Sequence, residues 1–184
     1  ELFGRAREGV FVEVGAHHPM HISQTYLLET QGWHGVLVEP QPRLAALLRQ
    51  NRPRSKVFEY AMVAPGREAE AYLVIPSASG ASAYVTFEAP TSDRFERVKT
   101  ATIDWVLEQA GVEQVDYLSL DIEKRELDAL RGFNLGKYRP KLILIEDHLH
   151  TLEKHRFLTA HGYRLIDRIG YNQWYIPENN PFPL

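Results

Sequence analysis

Carboxylates close the apolar runs of this chain. Glu13 sits beside Gly15 in the run 9–15, and Glu39-Pro40 ends the run 35–40. Asp121 follows the run 115–120, and Glu146-Asp147 follows 141–145, with His148 next. In open parallel sheets, ligands bind beyond the carboxyl ends of the strands. The acids therefore point to one ligand-bearing edge. An acid at the end of the second strand, about 20 residues after the first turn, is the usual partner of ribose hydroxyls, and Glu39 holds that place. The turn itself is not the dinucleotide fingerprint. After Gly15 the other two glycine positions hold His17 and Met20, whose side chains would keep a pyrophosphate off the backbone. Glu13 repels phosphate and suits a cation. A ribose, an ammonium, a sulfonium and no phosphate fit these charges, which is the chemistry of S-adenosylmethionine (SAM).

The second group of acids is Asp121 with Glu146 and Asp147. On neighbouring strands their ends lie about 5 Å apart, where they can converge on a hard cation such as Mg²⁺. A divalent ion would lower the pKa of a bound hydroxyl and orient it. For taking a proton from an acceptor, His148 is the first candidate, since neutral imidazole suits the working pH. Glu123 and Lys124, just past Asp121, are alternatives. Each has a plainer reading: His148 as a loop residue, Glu123 as a first-turn acid favoured by the helix dipole, Lys124 as surface charge. The clusters His17-His18-Pro19-Met20-His21 and His148-Leu149-His150 suggest transition-metal binding. Pro19 spoils helical ligand spacing in the first, so His17 and His21 read better as lining the mouth of the site.

The frame that must position these groups begins with a βαβ unit over 9–40. Ser23 is the expected N-cap of its helix and Gly32 the stop. Pro42 opens a second helix, with Leu44, Leu47 and Leu48 at helical spacing. Arg43, Arg49, Arg52 and Arg54 read as a solvated face of that helix. Residues 57–63 read as a third strand, 71–75 as an added edge strand, 77–82 as a loop that closes over a ligand or simply connects, and the stretch to Thr100 lacks a clear pattern. Thr102 caps a helix ended by Gly111. A strand over 115–120, a charged helix through Leu130, a strand over 141–145 and a helix over 151–160 follow. The strands 163–166 and 173–176 form an antiparallel hairpin. The expected class is α/β: a mostly parallel central sheet with helices on both faces and an antiparallel C-terminal hairpin at its edge.

Several spaced pieces of the sequence are similar to the FkbM-type SAM-dependent methyltransferases: Val12-Glu13-Val14-Gly15-Ala16-His17, Gln24 to Glu29, Gly32-Trp33-His34-Gly35-Val36, and Val38-Glu39-Pro40. Asp116 to Glu123, Glu126-Leu127 and Leu130-Arg131-Gly132 resemble that family's second signature. Lys124 stands where the family usually has glycine, and Gln24 where asparagine is common. The resemblance implies a Rossmann-like SAM methyltransferase fold and O-methylation, often of sugar or polyketide hydroxyls. It places Glu13, Gly15 and the Ala16–His17 backbone at the methionine end, with Gln24 and Thr25, and Ala61 and Met62 beside adenine. Glu39-Pro40 then serve the ribose. Asp121 counts with both cofactor and acceptor, and Glu146, Asp147 and His148 face the acceptor. Macrocin-type sugar O-methyltransferases carry acids at similar strand ends.

The 184 residues carry a net charge of -3, with 44% hydrophobic and 24% charged residues. One domain is expected, and neither nucleic acid nor an anionic membrane is an implied partner. A small-molecule or glycan acceptor is, and oligomer formation stays open. With no cysteine, disulfides and thiolate zinc sites are excluded, which agrees with a cytoplasmic location. The chain begins at Glu1, so a segment before it is compatible with the reading. The other readings that the residues allow are a nucleotide-dependent oxidoreductase and a non-catalytic binding module on the same fold. The sequence leaves little room for a cap over the acceptor.

Overall fold

In β1 (Val10–Val14), Phe11 and Glu13 share one face, and Val12 and Val14 the other. The same alternation runs through β2 (His34–Val38), β8 (Tyr117–Leu120) and β9 (Leu142–Glu146), and it divides the core in two. On one face Val12, Val14, Val36, Val38, Leu118, Leu120, Ile143 and Ile145 pack against α3, α4 and α6. These helices span Ile103–Ala110, Glu126–Arg131 and Leu152–Ala160. On the other face Phe11, Leu37, Tyr117, Leu142 and Leu144 meet Trp33 and Leu48. Leu48 belongs to α2 (Pro42–Asn51), beside α1 (Tyr26–Thr30). The computed structural model describes residues 8–76, 82–92, 94–148 and 152–181. Among them no helix is long and apolar enough to cross a membrane.

The main sheet has seven strands in the order β10-β11-β9-β8-β1-β2-β3, with β3 at Ser55–Phe58, β10 at Tyr163–Ile169 and β11 at Asn172–Pro177. Pairing is parallel from β3 through β9. β11 runs antiparallel to both β9 and β10. The antiparallel strand is thus second from the edge, and the edge strand β10 points the same way as β9. A short turn fixes the hairpin but not which of its arms joins the sheet.

The region from 57 to 100 departs most from expectation. The chain breaks at Glu59-Tyr60, and β4 (Ala61–Met62) leaves the main sheet. It joins a second sheet, in the order β4-β7-β5-β6, with β5 (Glu70–Val74), β6 (Tyr84–Thr86) and β7 (Phe95–Ala101). Residues 71–75 therefore do not extend the central sheet. Ala61, Ala71, Leu73 and Val98 form this sheet's own small core. Its strands are short and one side faces water, so their alternation is weak in the sequence. The loop expectation for 77–82 lies largely outside the described residues. A further short helix, α5 (Leu135–Tyr138), follows α4. Thr102 caps α3 as expected, accepting from Trp105 N–H, and Gly111 ends it with φ 68°. Ser23 lies before α1 without being its N-cap; Thr25 holds that place.

Candidate active site

The parallel strands end along one edge, and a cleft opens there of about 760 Å³, counting the solvent at its mouth. Gly15, His17, Glu39, Pro40, Ala61, Met62, Asp121 and Glu123 line it. So do Ile22, Gln41, Tyr60, Leu73, Val85 and Arg125, which the sequence did not single out. Gly15 has φ 86°, and a β-carbon there would collide with the Asp121 carbonyl. The ends of β1 and β8 meet at van der Waals distance, which only glycine allows.

Glu39 is buried at the cleft wall. Its Oε2 accepts the His17 N–H (2.9 Å) and its Oε1 the Gln41 N–H (2.9 Å). Burial pushes its carboxyl above the ordinary range, against the pull of those two amides. The carboxylate is held in one orientation, with lone pairs left for a ligand's hydroxyls. Ala61, Met62 and Leu73 supply an apolar wall beside it.

Four expected cofactor contacts are placed elsewhere. Glu13 shares the face of Phe11, so its carboxylate lies under the sheet beside α1 and α2, outside the cleft lining. It accepts Gln24 N–H (2.7 Å) and the hydroxyls of Ser23 and Thr25, and Arg52 lies 3.9 Å away. Burial raises its pKa while those donors oppose the shift. Ala16 is packed in the core, and its N–H donates to Val38 C=O (3.1 Å). The His17 N–H serves Glu39. Thr25 is buried and Gln24 is exposed, and neither lines the cleft. Strand alternation accounts for Glu13: an odd-position residue of this strand faces the helices, not the ligand edge.

Arg52 corrects the reading of the basic residues as a solvated face. It is 1% exposed and donates to Glu29 Oε2 (2.6 Å), Pro19 C=O (3.2 Å), Ser23 Oγ (3.1 Å) and Thr25 Oγ1 (2.8 Å). The missed signal is spacing: Leu44, Leu48 and Arg52 recur every fourth residue, on one helical stripe.

Glu123 belongs to the cleft lining, and just outside that lining Glu146 and His148 each place a ligating atom within 4.8 Å of it and of one another. His148 Nε2 lies 2.7 Å from Glu146 Oε1, and its ring packs tilted against Tyr171, with centroids 4.3 Å apart. Burial pushes Glu146 up to about 8, with Asp121 adding to the shift through repulsion and a shared hydrogen bond. Burial also raises Glu123, while His148 pulls it the other way. The expected magnesium set of Asp121, Glu146 and Asp147 fails at Asp147. That carboxylate is buried below the site, 2.9 Å from Lys154 Nζ, and it accepts from Gln173 Nε2 (2.9 Å). His21 is exposed outside the cleft lining, and His18 Nδ1 accepts the N–H groups of Met20 and His21. That bonding orders a turn and leaves no Nδ1 lone pair for a metal. His150 lies outside the described residues.

Lys124 is exposed, and its N–H donates to Glu126 Oε1 (3.0 Å). Its φ is 75° and that of Glu123 is 52°. The lysine thus keeps a left-handed backbone that glycine adopts freely. Left-handed geometry costs a side-chain-bearing residue about 1–2 kcal/mol, and glycine's extra chain entropy returns about half of that. Lys124→Gly should therefore stabilise the protein by about 0.5–1 kcal/mol and raise the thermal midpoint by about 2 °C. A lower midpoint would contradict this backbone geometry.

Sheet order and cleft together define a methyltransferase-type α/β protein. The Methyltransferase FkbM domain matches residues 13–165, and the chain belongs to that family. The FkbM methyltransferase of Methylobacillus flagellatus superposes with a TM-score of 0.59 at 15% identity, over 92% of this chain and 44% of that one. The fibrillarin pre-rRNA processing protein of Methanococcus jannaschii gives 0.54 at 13% identity, over 96% and 69%. At these identities the likeness is one of fold. The chain spans under half the length of the M. flagellatus protein. No curated protein matches the sequence.

Proposed function

We propose that this protein transfers a methyl group from SAM to a hydroxyl of a small acceptor, such as a sugar or polyketide. The observation that carries the reading is the cleft that runs from the oriented Glu39 carboxylate to Glu123, whose carboxylate lies within 4.8 Å of the Glu146–His148 pair. The residues fit SAM. Glu39 suits the ribose hydroxyls, the Ala61-Met62 wall suits adenine, and Asp121 and Glu123 add acids that suit a cationic donor. The one cleft arginine, Arg125, donates to Val85 C=O (3.1 Å) and is not set out for a pyrophosphate. That disfavours the nucleotide-dependent oxidoreductase.

When bound, SAM supplies an electrophilic methyl carbon on a sulfonium. The chain's part is to hold the acceptor oxygen in line with it and remove its proton. With Nε2–H donated to Glu146, His148 keeps its lone pair on Nδ1 for that proton. Tyr171 braces the ring. Burial and the neighbouring Asp121 carboxylate raise the Glu146 pKa, which favours its taking up a proton beside the imidazole.

One observation favours a variant with a divalent ion: the 4.8 Å grouping of Glu123, Glu146 and His148. A set that includes imidazole suits a transition ion better than Mg²⁺. Titration calorimetry with SAM, S-adenosylhomocysteine and NAD tests the cofactor. A radiolabelled methyl assay over a panel of hydroxyl acceptors, with chelator or with Mn²⁺, tests the reaction. His148→Ala should lower kcat by about 10²–10⁴-fold while SAM affinity holds. Binding of NAD without SAM, or full activity in His148→Ala, would overturn the reading.

A further inference from the structure

We infer that Arg52 is a positioning residue for the cofactor: from beneath the sheet it fixes the cleft wall formed by residues 15–25. This rests on the reading of the cleft as a SAM site. The loop has little regular hydrogen bonding of its own. Side chains accept many of its amides: Glu39 takes His17, His18 takes Met20 and His21, Glu13 takes Gln24, and Ser23 takes Thr25 and, at the start of α1, Tyr26.

Two of its cleft-lining residues are strained. His17 has φ 48° and Ile22 has φ 59°. A β-branched residue in that region is a genuine outlier, and Ile22 is also 74% exposed, so its own packing does not hold it there. Such a conformation persists only when its surroundings over-determine it. The guanidinium supplies that constraint. It grips Pro19 C=O on one side of Ile22 and Ser23 Oγ and Thr25 Oγ1 on the other. Ser23 and Thr25 pass the grip on, since both hydroxyls donate to Glu13 at the end of β1. Glu29 Oε2 anchors the arginine from the opposite side, and the rings of Phe11 and Tyr26 lie 5.6 and 5.8 Å from its central carbon. A planar fork reaches Glu29, Pro19, Ser23 and Thr25 at once; an ammonium does not.

The test compares Arg52→Lys and Ser23→Ala with Leu48→Ala, a core change on the same helical stripe. Calorimetry in the cold, on variants whose circular dichroism shows them folded, reads SAM and S-adenosylhomocysteine affinity. Arg52→Lys should weaken both by about tenfold or more and raise KM for SAM, with kcat changed less than about threefold. Ser23→Ala, which leaves the Arg52–Glu29 pair intact, should weaken both several-fold. Leu48→Ala should lower the unfolding midpoint and leave affinity unchanged. Hydrogen exchange of amides 16–25 should speed up in the first two variants only. If Arg52→Lys does not fold, Ser23→Ala decides. Unchanged affinity in Arg52→Lys, or in Ser23→Ala where that decides, overturns the inference and leaves the SAM reading standing. A wild-type protein that binds neither compound overturns both.

Discussion

Lys154→Met should destabilise the protein by about 3–5 kcal/mol. Lys154 is buried on α6, and its ammonium has three partners: Glu126 Oε2 at 3.1 Å, Asp147 Oδ1 at 2.9 Å and the Glu146 C=O at 2.8 Å. Methionine fills much the same space, so packing is nearly kept. What is lost is the countercharge to two carboxylates that are almost fully buried. Gln173 still donates to Asp147, and Lys124 N–H to Glu126, but neither carries charge enough to replace an ammonium. Urea unfolding at neutral pH measures the loss. Adding Glu126→Gln and Asp147→Asn should recover a large part of it, because neutral groups need no countercharge. A loss below about 1 kcal/mol would mean that the pairs are not buried as described. The loop holding Glu123 hangs from Glu126, and Glu146 sits one residue before Asp147. The same lysine therefore ties together the two sides of the proposed proton-transfer site.

Gly15→Ala should cost about 4 kcal/mol or more, at the upper end for a single substitution. The position needs φ 86°, which strains any residue with a β-carbon, and the added methyl would meet the Asp121 carbonyl, a backbone atom that cannot swing aside. Relief requires the ends of β1 and β8 to separate, although they pair as far as Val14 with Leu120. Asp121 N–H also donates to Val14 C=O at 3.1 Å. The expected result is a protein that unfolds at much lower urea and has lost SAM affinity even where it stays folded. A variant that keeps its stability would show that the strand ends stand further apart than described.

The main sheet was legible because its strands are apolar runs closed by acids, and its helices carry clear stops such as Gly111 and Gly132. The second sheet was not. Its residues fall in a stretch where only Ala61, Ala71, Leu73 and Val98 make its core, too few to impose a readable period. Yet Leu73 and Val85 from it line the cleft, so the chain does carry a wall where the sequence left little room for a cap. Along the site, the acids at strand ends were visible but their directions were not. Glu39 and Asp121 face the cleft, whereas Glu13 and Asp147 turn to buried cations. Arg52 reads as solvated, and Lys154 draws no notice, when charge is given more weight than position. Arg52 continues the stripe of Leu44 and Leu48, and Lys154 sits four residues before Leu158, which is also buried. A charged residue on an apolar stripe, with an acid left over elsewhere, is the pattern to look for.

The insertion of β11 between β9 and β10 sets an order of assembly. The centre of the sheet, β1, β2 and β8, can pair once Leu120 has left the ribosome. Strand β10 cannot follow in sequence, because among the described residues it pairs with β11 alone. It must wait outside the sheet until β11 has been made and has docked on β9. Tyr171 lies in the turn between them, and its carbonyl accepts the Asp147 N–H at 2.8 Å. The brace behind His148 is therefore the last wall of the site to close as the chain is synthesised. Until then the wall around Glu39 stands built while the side at Glu146 and His148 is still open to water.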